Sequence, residues 1–267
     1  MRDTEAPPLH LFLSEIGRAT VGMGVYLATR RFETCLPRGA GGPVLVLPGL
    51  MADDRSTNVL RGVLRRLDYR VHGWRQGRNI GPTAEAVAGM TDRLAELADR
   101  YGAPVDLVGW SLGGIFARQL ARRMPEQVGR VVTMGSPFAL SHDGQSRAHT
   151  TFQRYAHLHV ERPQLPLTSE RTPMPVPATS IYSRLDGIVA WQACLDVPSA
   201  TTENIAVHSS HLGLGHHPAV LWAVADRLAQ PAGQWAPFVA PPLLRLAYPR
   251  PDVPGATGGA STAAAAA

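Results

Sequence analysis

Short runs of apolar residues alternate along the chain with longer segments in which apolar positions recur every three or four residues. The runs lie at 43–49, 69–74, 104–110, 128–138, 177–183 and 203–209. They are continuously apolar rather than alternating, which is typical of strands buried on both faces of a parallel sheet. The pattern therefore predicts an α/β fold with about six mainly parallel strands and helices on both faces.

Two of the intervening helices have clear boundaries. Segment 83–102 carries Met90, Leu94 and Leu97 on one face and ends at a glycine. The next helix is expected to begin at Leu112, directly after the third apolar run, and to end near Met124 because a proline follows. The junction between the third strand and this helix is therefore abrupt.

The periodic pattern also divides the chain. Residues 43–230 contain all the predicted strands and are expected to form the core domain, preceded by a mainly helical extension over 1–42. A long insertion over 139–176, rich in His, Arg and Pro, is typical of a lid or binding loop. Residues 231–267 are rich in Pro, Ala and Gly, and we expect disorder at least beyond Pro251.

The extension carries an apolar face formed by Leu9, Phe12, Leu13 and Ile16. Amphipathic helices usually pack on their own core, so packing on the sheet is the favoured interpretation. Peripheral contact with a membrane surface is the alternative.

Composition excludes several chemistries. All 26 basic residues are arginine, so there is no ε-amine for a Walker A site, a Schiff base, a pyridoxal-phosphate linkage or protein-kinase chemistry. The formal net charge is +5, but the arginines are scattered over predicted helix faces without interleaved aromatic residues. We therefore expect a solvated arginine-rich surface and no nucleic-acid partner.

The two cysteines, Cys35 and Cys194, are too few and too far apart for a zinc ribbon or a disulfide framework, and we expect buried thiols. The N-terminal residues do not have the pattern of a signal peptide, and no apolar run reaches the length of a transmembrane helix. The expectation is a cytoplasmic protein that acts as a monomer.

The abrupt junction carries a G-x-S-x-G motif, Gly109-Trp110-Ser111-Leu112-Gly113. A serine on a sharp turn between a strand and a helix has a strained backbone, and its neighbours two residues away need to be small so that strand and helix approach closely. The motif alone is weak, but a predicted strand before it and a helix after it provide the expected context. Ser111 is therefore the candidate nucleophile.

A serine hydroxyl needs a base, and the base needs an acid that orients it. Asp186 follows the fifth predicted strand and His211 follows the sixth. The order Ser, Asp, His along the chain is that of the α/β-hydrolases. Alternatives remain for both partners: Asp196 for the acid, and His208, His216 and His217 for the base. An ordinary Asp-Gly turn is an equally simple interpretation of Asp186.

Two backbone N–H groups are needed to stabilise the developing oxyanion. Leu112 directly follows the candidate nucleophile, and Leu50 lies in the loop after the first strand. Asp53 and Asp54 lie nearby, but we expect no metal site, because Asp54 or Ser56 is better placed to cap the following helix.

Four segments, SIYSRLDGIV, SHLGLG, GWSLGG and the LPG loop, together resemble the small bacterial lipases of minimal α/β-hydrolase fold, also called lipase class 2. The resemblance covers roughly residues 43–230. It implies a six-stranded parallel sheet, a triad of Ser111, Asp186 and His211, no cofactor, and carboxylic ester substrates. The chain departs from that family at Pro48, where a histidine is common, and in its N-terminal extension and longer insertion.

The leading hypothesis is a serine hydrolase, an esterase or lipase, that cleaves small-molecule or lipid esters through an acyl-enzyme. Several residues near strand ends are candidates for an apolar acyl pocket, although aromatic residues there are equally common in the core: Met51, Trp74, Trp110, Phe138 and Trp191. An acyltransferase that uses the same triad and a non-catalytic interaction protein on a hydrolase scaffold are the alternatives.

Overall fold

Six parallel strands form one sheet in the order β2-β1-β3-β4-β5-β6. The computed structural model describes residues 5–140, 142–160, 173–252 and 254. The strands are β1 Pro43–Leu47, β2 Arg70–Gly73, β3 Val105–Trp110, β4 Val128–Met134, β5 Ala178–Tyr182 and β6 Thr202–Ala206. Each neighbouring pair is parallel. The prediction of about six mainly parallel strands is confirmed.

The chain runs outward from β1 to β2 and then returns to place β3 on the other side of β1. In open α/β sheets, ligands bind beyond the carboxyl ends of the strands, at the point where the strand order reverses. The loops that follow β1 and β3 therefore lie where a site is expected.

Helices cover both faces of the sheet, as predicted. The helices of the described residues are α1 Leu9–Leu13, α2 Glu15–Thr29, α3 Asn58–Arg66, α4 Ala84–Tyr101, α5 Leu112–Arg123, α6 His149–Arg154 and α7 Pro218–Ala229. One core cluster joins α3 and α7 to the sheet through residues such as Leu64 and Val224, and a second joins α4 and α5 to it through residues such as Leu94 and Phe116. Burial of these apolar faces drives the assembly of the layers.

The boundaries of α4 follow from local chemistry. Thr83 Oγ1 accepts a hydrogen bond of 3.1 Å from the Ala86 N–H, which satisfies one free donor at the start of the helix. At the other end, Gly102 has a φ of 58°, a left-handed conformation that closes helices without strain only at glycine. The helix thus spans almost the whole of the predicted segment.

The N-terminal extension is helical, and α2 packs against α7 and α3. Tyr26 of α2 is buried in the same core cluster as Leu64 and Val224. The predicted packing of the apolar face on the sheet is wrong, because its four side chains are exposed: Leu9 57%, Phe12 40%, Leu13 71% and Ile16 74%. None of the helices in the described ranges is long and apolar enough to cross a bilayer.

The two cysteines differ. Cys194 is buried, as expected, but Cys35 is exposed, so the prediction of two buried thiols is wrong for Cys35. Cys35 is the last residue of the short 3₁₀ helix Arg30–Cys35, which follows α2.

The insertion is anchored at several points. It contains α6, and His159 is hydrogen-bonded to the Ile80 carbonyl at 2.8 Å. Residue 141 and residues 161–172 lie outside the described part of the chain, and the function of the insertion as a lid stays a prediction.

The C-terminal segment folds back on the domain. The Tyr248 hydroxyl donates to the Ala219 carbonyl, and the Asp252 carboxylate accepts from Tyr182 and Arg184. Disorder was predicted to begin after Pro251, but Asp252 has defined partners, so the boundary was placed too early. The rest of that prediction falls on 253 and 255–267, outside the described residues.

Candidate active site

Ser111 occupies the one-residue turn between β3 and α5. Its φ of 54° and ψ of −122° lie in a region that residues with a side chain rarely adopt. The turn is held by a 2.8 Å hydrogen bond from the Ser111 N–H to the carbonyl of Met134, at the end of β4. This is the geometry that the G-x-S-x-G motif predicts.

The motif glycines are required by close approach. A Cβ at Gly113 would overlap the Leu47 carbonyl at the end of β1, and a Cβ at Gly109 would overlap the backbone of Gly114. These neighbours are backbone atoms of buried elements and cannot move aside. Small residues at these two positions therefore let α5 start directly against the ends of β1 and β3.

The structure brings Asp186 and His211 together. His211 Nδ1 lies 2.5 Å from Asp186 Oδ2, and both side chains are buried. The other carboxylate oxygen, Asp186 Oδ1, accepts the N–H groups of Ile188 and Val189 at 2.8 Å each. Because both carboxylate oxygens have hydrogen-bond partners, the carboxylate is held in one orientation. It therefore fixes the orientation of the imidazole through Nδ1.

This pair lies beside the Ser111 turn. Trp110, which directly precedes Ser111, donates its indole N–H to the His211 carbonyl at 3.2 Å. Gly135, which directly follows the Met134 carbonyl that holds Ser111, faces the pair. A Cβ at Gly135 would lie 3.1 Å from His211 Nδ1 and 3.2 Å from Asp186 Oδ2.

The surroundings of His211 raise its pKa. Burial alone lowers the pKa of this imidazole, because it disfavours the charged form. The negative charge and hydrogen bond of Asp186, together with the charge of Glu15, act in the opposite direction and prevail. The environment thus favours the imidazolium, the form that a general base adopts after it has taken a proton.

The competing acid has a different partner. Asp196 forms a buried ion pair with Arg118, at 2.5 Å between Oδ2 and Nη1, and its backbone is held by Asn204. Asp196 is therefore part of a separate buried network. The expectation of solvated arginines is wrong for Arg118, which is only 3% exposed.

The competing histidines also have other environments. The His216 Nε2 contacts the Ala19 carbonyl, and His217 is the N-cap of α7. Burial and the neighbouring His216 and His208 lower the pKa of His217 to about 4, so it is neutral near pH 7. His208 was expected within the last strand, but β6 ends at Ala206 and His208 is exposed.

Both candidate oxyanion donors lie where the strand order of the sheet reverses, in the loop after β1 and directly after β3. Leu112 begins α5, where backbone N–H groups have no helical partner. Leu50 follows Gly49, and a Cβ at Gly49 would come within 3.2 Å of Ser111 Cβ. The loop after β1 therefore passes directly over the serine turn.

That loop is held by Asn79, which no motif in the sequence indicates. The fully buried side chain of Asn79 donates to the Pro48 carbonyl at 2.8 Å. Its backbone accepts from the Met51 N–H at 2.7 Å and donates to the Ala52 carbonyl at 2.8 Å. Asn79 thus fixes the loop that contains Leu50 from both sides.

The expected helix cap was wrong. Asp53, not Asp54 or Ser56, accepts from the Arg55 N–H at the start of the 3₁₀ turn that leads into α3. Asp54 instead accepts the N–H groups of Trp74 and Arg75 after β2. Within the described residues, no cluster of three or more His, Cys, Asp or Glu side chains is arranged to hold a metal ion.

The predicted pocket residues have varied surroundings. Trp74 and Phe138 lie in the core cluster that contains Leu94, and Trp191 stacks on Tyr182 with ring centroids 5.8 Å apart. Trp110 donates its indole N–H to the His211 carbonyl. Met51 is half-buried and has a φ of 61° in the loop after β1. A role of these five residues in binding an acyl chain stays a prediction.

A second residue that the sequence did not indicate is Glu15 of α2. Its carboxylate accepts the N–H groups of Gly187 and His211, which are 172 and 196 positions away. No local pattern identifies partners at that separation. The only available signal was a single acid beside the apolar face of the extension.

Comparison of the sequence with known proteins gives one short match. The chain matches no family model. A stretch of 56 residues, 21% of the chain, is 41% identical to the biotin biosynthesis bifunctional protein BioHC of Teredinibacter turnerae and spans 10% of that protein.

Solved structures match over a larger part of the chain. Lipase B of Aspergillus fumigatus aligns with 71% of the chain at a TM-score of 0.54 and 15% identity, and the match spans about half of that lipase, 52%. Lipase BlEst2 of Bacillus licheniformis aligns with 72% of this chain and 94% of its own length, at a TM-score of 0.50 and 16% identity.

A third structure is MGS-MChE2, an α/β-hydrolase enzyme from the metagenome of sediments from the lagoon of Mar Chica, Morocco. It aligns with 71% of this chain and 90% of its own length, at a TM-score of 0.50 and 18% identity. The sheet order, the strained serine turn and these similarities lead to one conclusion: the chain has the α/β-hydrolase fold.

Proposed function

We propose that this protein is a serine hydrolase that cleaves carboxylic esters through an acyl-enzyme. The observation that carries the proposal is the combination of a strained Ser111 with the buried Asp186–His211 pair at the carboxyl ends of neighbouring strands. Ester substrates are favoured because two of the structurally similar proteins are lipases. The residues that resemble small bacterial lipases include all three members of the proposed triad.

In the proposed reaction, Ser111 Oγ attacks the ester carbonyl carbon while His211 Nε2 accepts the hydroxyl proton. Asp186 holds Nδ1–H, so that Nε2 is the free base, and it stabilises the imidazolium that forms. The N–H groups of Leu50 and Leu112 donate hydrogen bonds to the carbonyl oxygen and stabilise the negative charge that develops on it.

The second half of the cycle uses the same base. His211 donates its proton to the leaving alcohol as the ester bond breaks, which leaves the acyl group on Ser111. His211 then accepts a proton from water, whose oxygen attacks the acyl carbon. Collapse of the second tetrahedral intermediate releases the carboxylic acid and returns the proton to Ser111.

A fluorophosphonate probe tests the nucleophile. We expect the folded wild type to be labelled, and expect no labelling of Ser111→Ala or of heat-denatured protein. Ser56→Ala is the control and should be labelled like the wild type; Ser56 lies in the 3₁₀ turn before α3 and donates to the Asp53 carbonyl. A well-folded wild type that stays unlabelled would contradict the proposal.

A labelled wild type should then be assayed with p-nitrophenyl esters of increasing acyl length. We expect free carboxylic acid as the product, and the chain length with the highest kcat/KM defines the acyl pocket. If an added alcohol or amine acceptor receives the acyl group in preference to water, the activity is acyl transfer, and the hydrolase assignment is wrong.

A further inference from the structure

The carboxylate of Glu15 is buried between the two loops that carry Asp186 and His211. Glu15 lies in the first turn of α2 and is only 2% exposed. Its Oε1 accepts the N–H of Gly187 at 2.8 Å and the N–H of His211 at 3.0 Å. Its Oε2 accepts the N–H of Leu212 at 3.0 Å.

Each of these donors is next to a residue of the proposed triad or belongs to one. Gly187 directly follows Asp186, and the other two N–H groups belong to His211 and its neighbour. One carboxylate therefore connects the backbone of the acid loop to the backbone of the histidine loop. A shift of either loop would break charge-assisted hydrogen bonds, which are stronger than neutral ones.

Arg18, one turn later in α2, completes the connection. Its Nη2 donates to Glu15 Oε1 at 3.0 Å, and its Nη1 donates to the Leu185 carbonyl at 2.6 Å, in the same loop as Asp186. The buried negative charge is thus paired and fully hydrogen-bonded, as burial of a carboxylate requires.

We propose that Glu15 is a positioning residue of the active site, which holds the Asp186 loop and the His211 loop at the separation that the catalytic pair needs. This role rests on the proposed function, because it presupposes that the pair acts in catalysis. It makes the N-terminal extension a part of the catalytic machinery rather than a separate appendage.

Glu15 also contributes to the charge around His211. The charges that act on this imidazole are those of Asp186 from the acid loop and Glu15 from α2, and Arg18 is hydrogen-bonded to Glu15. Cys194 lies near Asp186, and burial raises the pKa of this thiol well above its usual value, so it stays neutral. Removal of the Glu15 charge is therefore expected to lower the pKa of His211.

Glu15→Gln and Glu15→Asp separate charge from geometry. In Glu15→Gln the amide N–H₂ group faces backbone donors, so both the charge and at least one hydrogen bond are lost. We expect kcat to fall about 10- to 100-fold with little change in KM, since displaced catalytic groups impair the chemical step. The midpoint of the pH–kcat/KM profile should move to lower pH. Glu15→Asp keeps the charge, so its midpoint should stay near that of the wild type while kcat falls.

Glu33→Gln is the matched control. Glu33 lies in the same extension and accepts from Tyr26 and Arg66, but it does not contact either catalytic loop. This variant should lose stability without a change in kcat or in the pH midpoint. If it lowers kcat as much as Glu15→Gln does at equal folded fraction, the effect is one of stability and the proposal is overturned.

NMR titration of His211 gives a readout that needs no turnover, with the resonance assigned by its loss in His211→Asn. The proposal expects the pKa of His211 to be lower in Glu15→Gln than in the wild type. Wild-type kcat and an unchanged pKa in Glu15→Gln would overturn it, and if that variant does not fold, wild-type kcat in Glu15→Asp would do so. Failure of the proposed function is distinct, because the wild type itself would then be unlabelled and inactive.

Discussion

Asp186 and Asp196 are both buried aspartates in the segment after β5, but they have different partners. Asp186 contacts His211, whereas Asp196 pairs with Arg118. We expect Asp186→Asn to lower kcat by about 10⁴-fold because the imidazole loses its orienting charge. Asp196→Asn should leave kcat within a few fold but lower the free energy of unfolding by about 3 kcal/mol, since Arg118 stays buried without its counter-charge.

Steady-state kinetics and denaturant unfolding of the two variants measure both effects. Equal, small losses of turnover in both variants would remove Asp186 from the proposed triad. A collapse of kcat in Asp196→Asn alone would assign the acid to Asp196.

The same contacts predict a pH dependence. A general base works when it is unprotonated, so kcat/KM should rise with pH as His211 loses its proton. Since Asp186 and Glu15 raise the pKa of His211, the midpoint should lie above the usual histidine value of about 6.5. Initial rates in buffers of constant ionic strength from pH 5 to 9 check this, and a flat profile would count against histidine as the base.

At the scale of elements, the loop after β1 depends on the segment after β2. Asn79→Ala removes the hydrogen bond to the Pro48 carbonyl and leaves that buried acceptor unpaired. If Leu50 is an oxyanion donor, we expect kcat to fall by about tenfold or more, with an unchanged pH midpoint because the charges near His211 stay in place.

Asn204→Ala is the control for this variant. The side chain of Asn204 in β6 is also buried and makes two hydrogen bonds to backbone groups, but both groups belong to Asp196. It should lose similar stability and retain kcat. Steady-state kinetics and thermal unfolding of the two variants measure kcat and stability side by side. Equal losses of kcat would show that Asn79 contributes only to stability.

At the scale of the whole molecule, the N-terminal extension joins the site to an exposed apolar surface. Leu13 and Ile16 flank the α1–α2 junction, directly beside Glu15, and Arg30 and Arg31 are exposed at the end of α2. Exposed apolar side chains at one end of a helix and arginines at its other end favour contact with an anionic lipid surface. Peripheral membrane contact of this kind would place the lipid surface near the loops of Asp186 and His211, whose backbone Glu15 contacts.

Flotation with phosphatidylglycerol and phosphatidylcholine vesicles measures this contact. We expect binding to the anionic vesicles, weakened roughly tenfold by Leu13→Ser combined with Ile16→Ser, because two apolar side chains are removed from the interface. Leu243→Ser, at a 98% exposed leucine of the C-terminal segment, is the control and should bind as the wild type does. Absence of binding by the wild type would leave the extension as a packing and positioning element only.

Much of the fold was predictable because its signals are local. Continuous apolar runs indicated buried strands, Gly102 ended α4, and Pro125 ended α5. The errors arose where no local signal exists. Asp54 accepts from the backbone after β2, 20 positions away, instead of capping the helix, and Cys35 lies at the end of a 3₁₀ helix whose exposure no periodic pattern indicates.

The sequence by itself determined the succession of strands and helices along the chain, the serine turn and the three candidate catalytic residues. A motif and a strand end are features of neighbouring residues, so both are visible in the sequence. Only the tertiary structure decided which carboxylate meets His211 and which side chains hold the loops. Glu15 and Asn79 act through backbone groups that lie far away in the chain. Any residue type supplies a backbone N–H or C=O of this kind, proline's missing N–H aside, so the partner leaves no trace in sequence.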